Sequence, residues 1–229
     1  MDHKPFQSMP ISSIFLLLFS CFVATNASAQ AKNFEGFDLN LISGFVSLKS
    51  STSAENLPSI SIQRDSPQSN PFLLSAGYTA AISESYTVGA SVNFDLTKSP
   101  ASNVNVYSNG TLLPKFGSSQ GFKNREGLAI KLGYALDPNA LAYSKFGYSW
   151  ASTYGTNNDG SAFNGDNIKF TSYAVGLRVS LDTKLFTLGE LNYNQILLNQ
   201  TKKTIGLNQA IIDSKSDGYS ILIGLGYLF

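Results

Sequence analysis

From residue 36 to the end, the chain repeatedly alternates large apolar residues with small or polar ones, the period of a strand whose two faces meet different surroundings. Residues 36–46 place Phe37, Leu39, Leu41 and Phe45 on one face and Gly36, Asp38, Asn40 and Gly44 on the other. Residues 72–82 set Phe72, Leu74, Ala76, Tyr78 and Ile82 against Ser75, Gly77 and Thr79. The cleanest window opposes Tyr86, Val88, Ala90, Val92, Phe94 and Leu96 to Thr87, Gly89, Ser91, Asn93 and Asp95. The fourth opposes Leu128, Ile130, Leu132, Tyr134 and Leu136 to Ala129, Lys131, Gly133 and Ala135. A weaker fifth puts Ala142, Phe146, Tyr148 and Trp150 opposite Tyr143, Lys145, Gly147 and Ser149. The sixth separates Tyr173, Val175, Leu177, Val179 and Leu181 from Ser172, Ala174, Gly176, Arg178 and Ser180. The seventh is ambiguous at its start, then opposes Leu191 and Tyr193 to Glu190, Asn192 and Asn194. The last sets Tyr219, Ile221, Ile223, Leu225, Tyr227 and Phe229 against Ser220, Gly224 and Gly226.

The connections alternate too. Residues 83–85, 137–139 and 182–184 are rich in Asp, Ser, Pro and Asn and predict tight turns, whereas 47–71, 97–126, 151–169 and 196–217 predict long polar loops. Short turns on one rim and long loops on the other predict an all-β fold, an eight-stranded antiparallel transmembrane β-barrel with periplasmic turns, extracellular loops and both termini periplasmic. A soluble eight-stranded barrel shares the period with the polarity reversed, but Phe, Tyr, Leu and Ile from every strand would overfill its narrow interior. The aromatics also fall into two belts on the apolar face: Phe45, Phe72, Phe94, Trp150, Tyr173, Tyr193 and Tyr219 near the outer rim, and Phe37, Tyr86, Tyr134, Tyr227 and Phe229 near the inner. The apolar face is therefore expected to meet lipid.

The N-terminus supplies the route. Lys4 precedes an apolar stretch at 11–23 that is short for a membrane helix, and Ala27-Ser28-Ala29 gives the small residues of a cleavage site. The expected division is a removed signal peptide at 1–29 and a barrel domain at 30–229, delivered to the cell outer membrane. Leu18-Phe19-Ser20-Cys21 is a competing lipoprotein box, which the bulk of Phe19 fits poorly. The only cysteine, Cys21, and the only histidine, His3, both lie in the leader, so the barrel is expected to have neither thiol nor imidazole. A net charge of +1 with only 14% charged residues leaves no basic stripe for nucleic acid, and 229 residues suit a single domain.

The chain resembles the small outer-membrane β-barrel family, which includes opacity-type surface proteins, porin-family surface proteins and the barrel domain of OmpA-like proteins. The likeness covers about 34–229 and rests on Glu35-Gly36-Phe37, on Tyr143-Ser144-Lys145-Phe146-Gly147-Tyr148, on Gly189-Glu190-Leu191-Asn192-Tyr193 and on Gly224-Leu225-Gly226-Tyr227-Leu228-Phe229. The resemblance implies that the terminal alternation of Tyr219, Ile221, Ile223, Leu225, Tyr227 and Phe229 is the signal read by the barrel-assembly machinery. It also implies that the periplasmic domain of full-length OmpA-type chains is not part of this one.

Inward parity gathers Lys131, Lys145, Arg178 and Glu190 near mid-height, with Asp38 and Asp95 nearer the ends. Charges in a narrow lumen must be paired or hydrated, so Glu190 is expected to bridge basic neighbours. The cluster reads as a structural plug, or as a slightly positive constriction passing small solutes. Outer-membrane enzymes generally use a histidine base, so a histidine-free enzyme is a remote third reading. Asn157-Asn158-Asp159-Gly160 and Asp166 lack the closing Glu of a calcium loop, and neither metal nor cofactor is expected. In the 97–126 loop, Val104, Val106, Tyr107, Leu112, Leu113 and Phe116 form either an adhesive surface or strands continuing past the membrane, with the second preferred. The expected role is structural or surface-interacting (membrane integrity or adhesion), with a small-solute porin as the alternative. The expected partners are outer-membrane lipid, lipopolysaccharide and a host or cell-surface ligand.

Overall fold

The computed structural model describes residues 31–54, 60–64, 68–99, 101–112, 118–157, 159–196, 199–205 and 208–229. Eight long strands, β1 (Gly36–Ala54), β2 (Phe72–Ala81), β3 (Tyr86–Asp95), β4 (Ser118–Asp137), β5 (Ala140–Asn157), β6 (Ala162–Ser180), β7 (Leu185–Ile196) and β8 (Asn208–Leu228), pair antiparallel in chain order. The ring closes where β1 meets β8, from Asp38↔Leu228 up to Ala54↔Ile212. Closure removes the sheet edges and pairs the backbone polar groups of the wall, as a bilayer requires. No described helix is long and apolar enough to cross a membrane.

Exposure settles which face points out. Ile130 is 58% exposed and its neighbour Ala129 6%, and the same contrast repeats along the apolar face at Leu132, Leu191, Ile221 and Leu225. The aromatic belts are built from cross-strand partners. Tyr86 faces Tyr134 with ring centres 5.2 Å apart at the turn end, and Tyr193 faces Tyr219 at 5.3 Å toward the other.

All three turns form where expected, and each is held by its own side chain. Ser83 Oγ accepts from the Tyr86 N–H at 3.0 Å, Asp137 Oδ1 from the Asn139 N–H at 2.7 Å, and Asp182 Oδ1 from the Lys184 and Leu185 N–H groups, both at 2.7 Å.

The opposite end differs from the expectation of long loops. The strands continue well past the aromatic belt, β4 and β5 pairing from Ser118↔Asn157 downward. Short strands at Ile60–Arg64 and Ser102–Ser108 pair with each other and join the wall through β1 and β4. Val106 is buried there, so part of the apolar content of 97–126 is packing within this sheet. Leu113 and Phe116 lie outside the described residues, as does the whole expected leader.

Candidate functional site

The small, polar face of each strand fills the barrel, but the interior is not uniformly polar. Ile42 on β1, Phe186 and Leu188 on β7, and Leu222 and Leu228 on β8 pack as one apolar cluster along one wall. Near the extracellular end Ala151, Ile168 and Phe170 form a second cluster with Phe122 and Ile196. Near the turn end Ala31, Phe34, Ala135 and Leu141 form a third.

The charged groups share a cavity with the apolar wall, Asp38 and Glu190 on its own strands β1 and β7, and Lys131, Lys145 and Arg178 on β4, β5 and β6. Asp38 and Glu190 are 3% and 5% exposed, so their carboxylates need partners. Lys131 Nζ lies 3.6 Å from Asp38 Oδ2, while Asn40 Nδ2 donates to Asp38 Oδ1. Glu190 accepts from Lys145 in a direct ion pair, from the Tyr143 hydroxyl at 2.8 Å and more distantly from Asn192 Nδ2 at 3.4 Å. Arg178 lays its guanidinium on the Phe186 ring at 3.7 Å. Inside a narrow barrel a ring face is a usable partner for a cation. Lys131, Lys145, Arg178, Glu190 and Asp38 thus share one region.

Asp95 stands apart from them. It sits one cavity higher and accepts from the Thr97 N–H at 3.0 Å and hydroxyl at 2.7 Å. It shares that cavity with Glu126, Lys145 and Arg125, the last of which fell within the expected 97–126 loop and was not singled out. Arg125 donates to Ser149 Oγ at 3.2 Å and Asn194 Oδ1 at 3.1 Å, and covers the Phe170 ring at 4.9 Å. A bulge on β4, where Lys123↔Ser152 and Glu126↔Trp150 leave one extra residue, carries Asn124 at φ 53° beside it.

Packing leaves little open space. The lower cavity, around Asp38, Lys131, Arg178 and Glu190, measures about 30 Å³, and the upper, around Asp95, Arg125 and Asn194, about 70 Å³. Lys145 borders both. Each has room for water-sized occupants only. No cluster of metal-ligating residues occurs among the described residues.

Residues 14–229 match the family model of the outer membrane protein beta-barrel domain. The chain belongs to that family. It is accordingly an integral outer-membrane protein. Among solved structures it is similar to OprG of Pseudomonas aeruginosa, at 12% identity and a TM-score of 0.50 over 89% of this chain and 99% of OprG. It is also similar to neisserial surface protein A, at 12% identity and a TM-score of 0.45 over 85% and 97%. Ail of Yersinia pestis, solved with the heparin analogue sucrose octasulfate, matches at 10% identity and a TM-score of 0.42 over 85% and 99%. Such identities speak to fold alone, and no curated protein sequence matches the chain.

Proposed function

We propose that this outer-membrane beta-barrel protein is a closed-lumen scaffold whose role is structural or surface-interacting, in membrane integrity or adhesion, and not a catalyst. The observation that carries this reading is the filled interior: its cavities measure about 30 and 70 Å³, and apolar clusters pack toward each end of the barrel. A solute route would need a continuous aqueous path between hydrated constrictions. Glu190, the most central carboxylate, is committed to Lys145 and Tyr143, which leaves it poorly suited to act as a free base.

On this reading the outward face meets lipid and lipopolysaccharide, and the sheet beyond the outer belt offers the contact surface for a host or cell-surface ligand. The assembly machinery reads the outward alternation of β8 from Tyr219 to Phe229. Residues 1–29 act as a removed leader and 30–229 as the barrel domain.

A narrow porin remains the second reading for one reason: Lys145 borders both cavities, so movement of that side chain alone would join them. Single-channel recording of the refolded barrel in a planar bilayer separates the two, with a heat-dependent gel shift confirming the fold. The closed-lumen reading expects a silent bilayer. Steady, charge-selective steps that change with Glu190→Gln would overturn it in favour of the porin.

A further inference from the structure

We infer that the four residues preceding β1 form a plug that seals the periplasmic mouth of the barrel, with Phe34 as its stopper. Ala31–Phe34 make a single 3₁₀ turn, and Ala31 and Phe34 are both fully buried. A short segment ahead of the first strand of a domain ordinarily frays, since it has little surface to bury against the entropy of ordering it. This one is tied to two neighbouring turns on the rim of the opening. The Ala31 N–H donates to the Glu84 carbonyl in the β2–β3 turn at 2.8 Å, and Asn33 Nδ2 donates to the Pro138 carbonyl in the β4–β5 turn at 3.0 Å.

Between those two anchors Phe34 turns inward. Its ring packs with Ala135 and Leu141, and Leu141 also lines the lower cavity, so the stopper lies directly beneath the charged region. Arg178 reaches down to it. The guanidinium stands 5.5 Å from the Phe34 ring and 3.7 Å from that of Phe186, so the plug also supplies one of the two rings that hold this buried cation. Gly36 then redirects the chain into β1 at φ 138°, a conformation in which a side chain is strained.

The plug rests on the closed-lumen reading, and the two fail separately: conductance tests the whole pore, whereas a probe in the lower cavity tests its periplasmic end alone. The experiment uses the full chain with Cys21→Ser and one new cysteine, Thr79→Cys in the lower cavity or Ser220→Cys in the upper. Fold is verified by gel shift, and reaction with a small water-soluble methanethiosulfonate is followed in detergent. With Phe34 present both sites should react slowly. Phe34→Asp should speed reaction at residue 79 by at least tenfold and leave residue 220 unchanged, while Phe34→Leu should keep residue 79 protected. If Phe34→Asp gives no shifted band, Phe34→Ala is read in its place. Equal rates at residue 79 with and without the stopper would overturn the plug, and so would a parallel rise at residue 220, which would mean general loosening.

Discussion

Glu190 and Lys145 sit face to face inside the barrel, and at this scale the energetics are asymmetric. A buried pair adds little over a well-packed apolar one, but removing a single partner strands the other charge and costs about 3–5 kcal/mol. Glu190→Leu should therefore lower the urea midpoint of the gel-shifted band strongly, and Lys145→Met added to it should restore part of the loss. A neutral Glu190→Leu would mean that water reaches Lys145. The five charged residues that meet here all lie on the inward parity of their strands, so counting by twos was enough to find them. It did not reach Arg125, which shares the inward parity of Ala129 and Lys131, because polar composition assigned residues 97–126 to a loop whereas β4 already begins at Ser118. It failed at Ile42, Phe186, Leu188 and Leu222, inward positions that are apolar because they pack against one another along the neighbouring strands β7, β8 and β1. Alternation marks the face on which a residue lies, whereas what packs beside it on that face is set by neighbouring strands.

Among the elements, the turns were the most legible, since Asp182, Asp137 and Ser83 each accept N–H groups two or three residues on, a contact that sequence spacing alone dictates. The extracellular strands were least so. Their pairing is set by partners far along the chain, as in Ile62↔Val106, and polar composition cannot distinguish a loop from a sheet wet on one side. The Asp182 turn carries a pH dependence. The backbone N–H groups of Leu185 and Lys184 hold its carboxyl below the ordinary carboxylate range. A depressed value means that the stabilisation is complete above the unfolded value, about 4, and is lost as pH falls through the folded one. The protection of the Leu185 amide, its exchange rate relative to that of an unstructured amide at the same pH, should accordingly fall below about pH 4. In Asp182→Ala that protection should be low throughout, and in Asp182→Asn, which keeps an acceptor without a titrating proton, higher and flat with pH. A flat profile in the parent protein would show that the carboxylate does not hold the turn.

At the scale of the whole molecule the decisive relation is between depth and cost. Ile130 and Ile82 are alike by exposure, 58% and 63%, and in a water-soluble barrel an arginine at either would be tolerated alike. The topology separates them. Ile130 is seven residues from the β4–β5 turn residue Asp137, between the belts, whereas Ile82 lies at the β2–β3 turn itself, hydrogen-bonded through its N–H to Tyr86. In a bilayer an outward arginine costs about 2–4 kcal/mol at the midplane and about 0–1 near the interface. Ile130→Arg should therefore destabilise the barrel in lipid vesicles by several-fold more free energy than Ile82→Arg, measured by reversible urea unfolding in the same lipid. The difference should shrink in detergent micelles, whose apolar shell deforms around a charge. Equal costs in vesicles would place residue 130 at the membrane boundary and shift the whole ring of belts along the barrel axis, taking the Lys145–Glu190 layer out of the membrane's centre with it.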